Sequence, residues 1–293
     1  MDRCDTVIVN FNAGRFLQEA VASALSSPAV AHVYVVDNAS TDRSLDVFSG
    51  RHDDRLTIVR NTTNLGFGAG CNVGLSRATA GFVLLLNPDC RLLEGAVERL
   101  IAAVVSDERV GMAGPLLLNT DGSEQAGGRR AIPTPRRALS RALGLDGLSR
   151  FFPIMFPDFL QHREPMPVAP IEVEAISGAC MLVRRAAVME VGLLDEQYFL
   201  HCEDLDWCMR FRQHGWNILF VPDAKAIHSK GVSSSHRPFA TEWYKHQGMI
   251  RFYRKFFRHQ YPAAVMVAVY SGVWLRFAAV TALLMFRRQA GPK

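Results

Sequence analysis

The stretch 82–90, FVLLLNPDC, decides how the rest of the chain reads. Five apolar residues run unbroken from Phe82 to Leu86 and stop at Asn87-Pro88-Asp89. An apolar run of this length, bounded by a turn signal, marks a strand buried on both faces. Pro88 has no N–H to offer a ladder, so the strand ends there. Asp89 is therefore placed at the carboxyl end of a central strand, where open α/β sheets bind ligands. The alternative is that Asp89 only caps a helix over 92–106, and these residues alone do not decide between the two.

Working outward, the upstream chain alternates strand and helix. TVIVN (6–10) is a β-branched run, and Asn12, Ala13 and Gly14 make a turn. Phe16, Leu17, Ala20, Val21, Ala24 and Leu25 then recur at helical spacing over 15–26. A second strand at 32–36 ends in DNASTD (37–42), followed by a short helix over 43–48 and a third strand at 56–60. A polar, glycine-rich loop at 61–70 leads into a helix reaching about Ala78. Such alternation with short connections predicts a parallel, doubly wound sheet. Right-handed crossovers gather the strand-end loops on one edge. Asp37, Asn64 and Asp89 are then expected to face one crevice.

Downstream, a helix over 94–106, a strand at 111–118 and a turn at 119–122 continue the pattern, which then weakens. Residues 123–168 hold Arg129, Arg130, Pro133, Pro135, Arg136 and Arg137, and the aromatics Phe151, Phe152, Phe156 and Phe159. A segment this long with little periodicity reads as a lid, an acceptor loop or a solvated insertion. Order returns with strands at 171–176 and 179–183 and a helix over 186–191. Glu203, Asp204 and Asp206 open a further helix ending near Gly215. Acidic residues in a first turn suit the helix dipole by themselves. Asp204, however, shares a face with Trp207 and Phe211. A carboxylate atop a partly buried face points to a partner or a task, whereas Asp206 is read as structural. Short strands at 217–221 and 225–228 precede a flexible run at 229–235.

Length and composition set the frame. The 293 residues, 49% hydrophobic and 21% charged, suit one large globular domain with an appendage. The expected division is a domain over 1–240, with halves at 1–118 and 171–240 around an insert at 119–170, and a tail over 241–293. The six cysteines show no CxxC spacing and read as reduced thiols in a cytosolic setting. The run at 6–10 is too short for a secretory signal. The net charge of +5 suits nucleic acid, phosphorylated substrates or an anionic membrane.

The tail divides in two. Residues 242–258 form a helix studded with aromatics and cations, among them Trp243, Tyr244, Arg251, Phe252, Arg254 and Phe257. Residues 263–286 are nearly all apolar, interrupted by Arg276. That length approaches the ~20 residues of a spanning helix, but Arg276 near its middle costs about 2.5–3.5 kcal/mol on insertion scales. Basic residues at both ends set no orientation. The favoured reading is an in-plane or shallow association with an anionic leaflet, ahead of a true span or a helix packed on the core.

Gly66, Gly68, Gly70 and Gly74 do not form GxGxxG and follow the third strand rather than the first, which argues against nicotinamide or flavin. More specific is an ordered set of seven blocks: VIVNFN (7–12), VVDNASTD (35–42), NLGFGAGCNVGL (64–75), LLNPD (85–89), SGACMLVRR (177–185), GLLDEQYFLHCEDLDWCMR (192–210) and PDAKAIHSKG (222–231). On these blocks, over roughly 5–260, the chain resembles glycosyltransferase family 2, the inverting enzymes of GT-A fold. Within it the chain is similar to the rhamnosyltransferase-like branch that builds bacterial cell-envelope polysaccharide. The resemblance implies an α/β, Rossmann-like, mostly parallel sheet flanked by helices, followed by a helical membrane-associating tail.

The resemblance also implies roles. Asp37, with Asn38 beside it, matches the aspartate that holds the pyrimidine of the donor, and an acceptor-only carboxylate suits the N3–H of uracil or thymine. Backbone groups of Val9 and Phe11 line the base pocket. Asn64, Gly66 and Gly68 belong to a loop opening a helix whose N–H groups meet phosphate and sugar hydroxyls, small residues letting the donor approach. Asn87-Pro88-Asp89 stands where the family carries a DxD-like motif for a divalent metal, Mn2+ or Mg2+, on the donor diphosphate. Asn87 replaces the first acid, Asp89 is left as the charged ligand, and His228 matches a histidine completing the metal site. Ser177 and Gly178 fall on the acceptor side. Glu203-Asp204 matches a motif in which Asp204 is the general base, with Glu203 supporting the acceptor or orienting Asp204. The helix N-terminus keeps Asp204 ionised and makes it a weaker base.

The implied activity is transfer of a sugar, L-rhamnose first, from a dTDP- or UDP-sugar to a hydroxyl of a lipid-linked saccharide acceptor. The implied place is the cytoplasmic face of the plasma membrane, with the protein peripheral or tail-anchored on an anionic surface. UDP-GlcNAc, UDP-galactose and UDP-galactofuranose remain as other donors. Asn87 leaves open a sugar-nucleotide-binding membrane protein with weak turnover. No nucleic-acid partner is expected, and the oligomeric state is not specified.

Overall fold

A computed structural model describes residues 2–50, 53–142, 161–229 and 238–289. The chain runs β1 (Cys4–Asn10), α1 (Phe16–Leu25), β2 (Val30–Asp37), β3 (Leu56–Arg60), α2 (Phe67–Leu75), β4 (Phe82–Leu86), β5 (Cys90–Leu92), α3 (Ala96–Val105) and β6 (Val110–Leu118). It continues through β7 (Arg129–Arg130), α4 (Pro135–Ala142), β8 (Ile171–Glu172), β9 (Ala175–Ile176), β10 (Cys180–Arg184) and α5 (Arg185–Val191). The remaining elements are α6 (Glu203–Gln213), β11 (Asn217–His228), α7 (Pro238–Phe257) and α8 (Ala263–Gln289). The aromatics Phe151, Phe152, Phe156 and Phe159, and the run 230–235, lie outside the described residues.

Side chains alternate across a strand, and β4 buries both faces. Val83 and Leu85 join a core with Leu75, Val188 and Leu205 of the helices on one side. Phe82, Leu84 and Leu86 join a second core with Leu17 and Leu100 on the other. None of the five is more than 6% exposed, which is why the run carries no polar residue. Each such burial contributes about 1.5–3 kcal/mol.

The strand order is β3-β2-β1-β4-β10-β6-β11-β5, with β8 also paired to β11. The half built from β3, β2, β1 and β4 is parallel, as the alternation predicts. Beyond β4 the sheet is mixed: β10 runs antiparallel to β4 and β6, while β11 is parallel to β6. Parallel pairing needs a crossover laid on the sheet. Among the described residues between β6 and β10, the one α-helix, α4, packs on α8.

Local chemistry explains the other departures. Residues 90–92 pair with β11 as β5, so α3 starts later than expected and Asp89 caps no helix. The helix expected over 43–48 contracts to a 3₁₀ turn at Asp46–Phe48. There the Asp42 carboxylate accepts the Ser44 N–H at 3.2 Å, a local bond that competes with helix. The two strands expected at 217–221 and 225–228 are one, with an irregularity between Val221 and Lys225 around Pro222, which has no N–H to donate. The strand expected at 171–176 splits, β8 pairing with β11 and β9 with β7.

The tail is α7 and α8. Trp243 of α7 meets Trp274 and Phe277 of α8 at ring separations of 5.4 and 5.7 Å, and Met266 and Val269 are buried between them and the core. Only 11% of the apolar window of α8 is buried, and Val267, Leu275, Leu283 and Phe286 are exposed. By length and composition α8 can cross a membrane. Arg276 reaches back to α7, its Nη1 lying 3.5 Å from His246 Nε2.

Candidate active site

The register of β5 on β11 builds the first part of the site. It pairs Cys90 with His228 and so brings the imidazole beside Asp89, Nε2 lying 3.2 Å from Oδ1. Asn87 Nδ2 is 3.5 Å from the same ring nitrogen. The other nitrogen, Nδ1, lies 2.7 Å from Gln125 Oε1. An amide oxygen only accepts, so Nδ1 carries a proton, and in the neutral ring Nε2 holds the lone pair. Gln125 is itself fixed, its amide donating to the His228 carbonyl at 3.1 Å and to Asn119 Oδ1 at 3.0 Å. Asn87 Oδ1 is buried without a partner. A carboxylate, an orphaned amide oxygen and an imidazole lone pair thus stand side by side with too few donors. An oxygen-rich set with one imidazole fits Mn2+ or Mg2+. No three His, Cys, Asp or Glu cluster for a metal among the described residues; here the third group is Asn87.

A short segment links this end to the next. Asn87 N–H donates to the Ala179 carbonyl at 2.8 Å, and Gly178 N–H donates to Asp204 Oδ2 at 3.1 Å. A Cβ on Gly178 would lie 3.1 Å from Asp204 Cβ, so this approach favours glycine. Leu205 N–H donates to Asp204 Oδ1 at 2.8 Å, and the Arg130 guanidinium pairs with Oδ2. Arg130 arrives through the pairing of β7 with β9. Burial works against ionisation of Asp204. The Arg130 charge and the Gly178 and Leu205 N–H groups outweigh it and hold the carboxyl below its usual value. Glu203 behaves oppositely: burial first, then the Asp204 charge, push its carboxyl up to about 8, and its Oε2 has no partner. The two adjacent carboxyls are thus pushed in opposite directions, Asp204 toward the ionised form and Glu203 toward the protonated one.

The third part is the carboxyl edge of β1 and β2. Asn10 is level with Asp37. Asp37 Oδ1 accepts from Asn10 Nδ2 at 2.7 Å and Oδ2 from Ser40 N–H at 3.2 Å. Asn38 is buried; it donates to the Gly66 carbonyl at 2.9 Å and accepts from Asn61 at 2.8 Å. Asn64 Oδ1 accepts from Gly66 N–H at 2.9 Å. Val9, Asp37 and Asn38 are buried and Phe11 half-buried. Gly66 is required by the protein's own packing. Phe67 N–H donates to the Phe199 carbonyl at 2.9 Å, and a Cβ on Gly66, at φ +88°, would meet that oxygen at 2.5 Å. A Cβ on Gly68 would touch Leu194, Asp195 and Glu203 at 3.7 Å. Among the described residues, the positive-φ residues other than glycine are Asn12, Ala39, His201 and Cys202, on the loops after β1 and β2 and directly before α6. Backbone strain of this kind gathers at functional sites.

Gln125, Arg130 and Asn10 were not singled out as site residues by their sequence context. Asn10 had a signal, a polar residue closing a β-branched run, and Arg130 lay in an arginine-rich stretch; Gln125 had none. Asp206, read as structural, is fully buried and ties α6 to α7 through Lys255 at 2.6 Å, besides Arg210 at 2.7 Å.

A mixed α/β sheet flanked by helices, with these polar residues at its strand ends, is the GT-A architecture, and this chain is a glycosyltransferase of that class. It belongs to glycosyl transferase family 2, whose model matches residues 5–192; glycosyl transferase family group 2 matches residues 156–287. The N-acetylglucosaminyl-diphospho-decaprenol L-rhamnosyltransferase of Mycobacterium tuberculosis is 29% identical over 81% of this chain and 79% of its own. The low-salt glycan biosynthesis hexosyltransferase Agl10 of Haloferax volcanii is 26% identical over 80% of this chain and 70% of its own. The dTDP-rhamnosyl transferase RfbF of Shigella flexneri is 21% identical over 69% and 61%. Among solved structures, the mannosyltransferase PcManGT of Pyrobaculum calidifontis, in complex with GDP-Man and Mn2+, shares the fold. Its TM-score is 0.59 at 15% identity, covering 99% of this chain and 76% of that one. GalNAc-T7 with UDP, GalNAc and Mn2+ has a TM-score of 0.60 at 19% identity, covering 78% of this chain but only 44% of its own length.

Proposed function

We propose that the chain, through a transferase domain at 1–240, is an inverting glycosyltransferase. It moves a sugar, L-rhamnose first, from a dTDP- or UDP-sugar to a hydroxyl of a lipid-linked saccharide. The observation that carries this reading is the 177–179 segment, which hydrogen-bonds Asp204 at Gly178 and the end of β4 at Ala179. It joins an ionised carboxylate to a cluster of acceptors lacking donors. The names of the relatives, two of them rhamnosyltransferases, support the sugar and the lipid-linked acceptor.

Asp37 and the backbone of Val9 and Phe11 hold the base. Asp89, Asn87 Oδ1 and His228 Nε2 would hold the divalent metal, which when bound neutralises charge on the departing diphosphate. Asp204 takes the proton from the acceptor hydroxyl as that oxygen attacks the anomeric carbon. The new bond forms opposite the one that breaks, so the configuration inverts. Arg130 keeps Asp204 ionised, and protonated Glu203 has a hydrogen to donate to the acceptor. Ser177 and Gly178 shape the acceptor side. The exposed face of α8 fits shallow insertion at the cytoplasmic face of a membrane, with Arg276 turned back to α7.

The test is transfer from dTDP-L-rhamnose to a GlcNAc-diphosphate-lipid with Mn2+, the product anomer assigned by NMR. Expected are inversion, loss of transfer on chelation, and a fall in turnover of about 10²–10⁴-fold for Asp204→Asn with dTDP binding intact. Retention of configuration, or full turnover by Asp204→Asn, overturns the reading.

A further inference from the structure

We propose that the cavity between α7 and the 193–202 segment binds the diphosphate of the lipid-linked acceptor, as an anion site separate from that of the donor. The inference rests on the reading of the chain as a transferase with such an acceptor. The cavity holds about 620 Å³; Tyr198 and Phe199 form one wall, and Tyr244, Arg251, Arg254 and Lys255 the other. Phe199 and Tyr244, both on the lining, stack on one another at 4.4 Å.

Position comes first. Phe199 lies four residues before Glu203, so the segment that delivers the catalytic pair also forms this wall. The opposite wall, α7, is the helix on which apolar α8 packs. A lipid-linked molecule held here lies against the helix on which α8 packs and beside the segment that leads into Glu203 and Asp204. The Asp89 end, at β5 and β11, is formed by other elements.

Charge comes second. Asp195 takes Arg251 Nη2 at 2.7 Å and Lys255 Nζ at 2.8 Å, and Lys255 also reaches Asp206 at 2.6 Å. The carboxylates are thereby used, while the Arg251 guanidinium, its side chain 31% exposed, stays on the lining. Arg254 meets no carboxylate among the described residues and lies over the Tyr270 ring at 5.7 Å. Forked donors of this kind match phosphate oxygens, and the amides of Gln197 and Gln247 on the same lining add further donors. The stacked aromatics offer an apolar surface for the first prenyl unit or a sugar face.

The test uses the full chain in detergent micelles, farnesyl diphosphate as the probe, and EDTA throughout to remove metal-held binding at the donor end. Calorimetry is expected to show binding by the native protein and by Asp89→Asn. Arg254→Gln and Arg251→Gln are expected to bind about tenfold more weakly or worse, and farnesol far more weakly than its diphosphate. Binding of dTDP with Mn2+, measured in parallel, checks folding and separates the two readings. If dTDP binds but neither arginine substitution weakens farnesyl diphosphate, this site is refuted and the transferase reading stands. If dTDP never binds while farnesyl diphosphate still depends on Arg254, the donor reading falls and this site stands. Equal binding of farnesol refutes phosphate recognition. So does an Arg254→Gln effect confined to attachment to phosphatidylcholine–phosphatidylglycerol vesicles, which would assign the cations to the leaflet.

Discussion

Asp89 and Asp204 are joined through the 177–179 segment, yet their surroundings differ in kind. Asp89 faces an imidazole whose proton is held on the far nitrogen by Gln125, next to the unpartnered Asn87 Oδ1. Asp204 receives Arg130 and the Gly178 and Leu205 N–H groups. One end holds mostly acceptors; the other receives three donor groups. Buried acceptors left facing one another are costly unless a cation or proton comes between them. A carboxylate already holding a guanidinium and N–H groups stays ionised and is a poor place for a second cation. In the function proposed here, the contrast divides the work between a cation site at the end of β4 and a proton acceptor at the start of α6.

Three changes act on this contrast, the largest first. Gln125→Ala frees the tautomer and tilt of His228, and loss of such an outer partner is expected to weaken Mn2+ binding by about 10–100-fold. Titration with Mn2+ checks this, and unchanged affinity would remove Gln125 and His228 from the cation site. Arg130→Ala leaves burial in command of Asp204, so its carboxyl rises. The base acts only when deprotonated, and the acid limb of the pH–rate profile is expected to move to higher pH. A limb that stays in place would show that Arg130 does not set the state of Asp204. Glu203→Gln is the smallest. The Glu203 carboxyl is raised from 4.5 to about 8. Below 4.5 it is protonated in both folded and unfolded chains; between 4.5 and about 8 the unfolded chain releases the proton first, so stability falls as pH rises. Melting temperatures across that window are expected to decline less in Glu203→Gln than in the native protein.

Legibility in the sequence followed the range of the interactions. The 82–86 strand was readable because burial on both faces leaves an unbroken apolar run, and its end because proline punctuates it. The parallel half followed from alternation, whereas the antiparallel entry of β10 follows a stretch with little periodicity. Gln125 reaches His228 across 103 residues and Arg130 reaches Asp204 across 74. Both lie in a segment without periodicity, where a single amide or guanidinium carries no pattern. The glycines at 66 and 68 were readable as places of close approach. That Phe199 is the group closing on Gly66 could be read only from the fold.

Mn2+ binding followed by electron paramagnetic resonance, in the native protein, Asp89→Asn and Asp204→Asn, probes the division of labour most directly. Expected is tight binding by the native protein, loss in Asp89→Asn and no change in Asp204→Asn. Loss of Mn2+ in Asp204→Asn with retention in Asp89→Asn would contradict it.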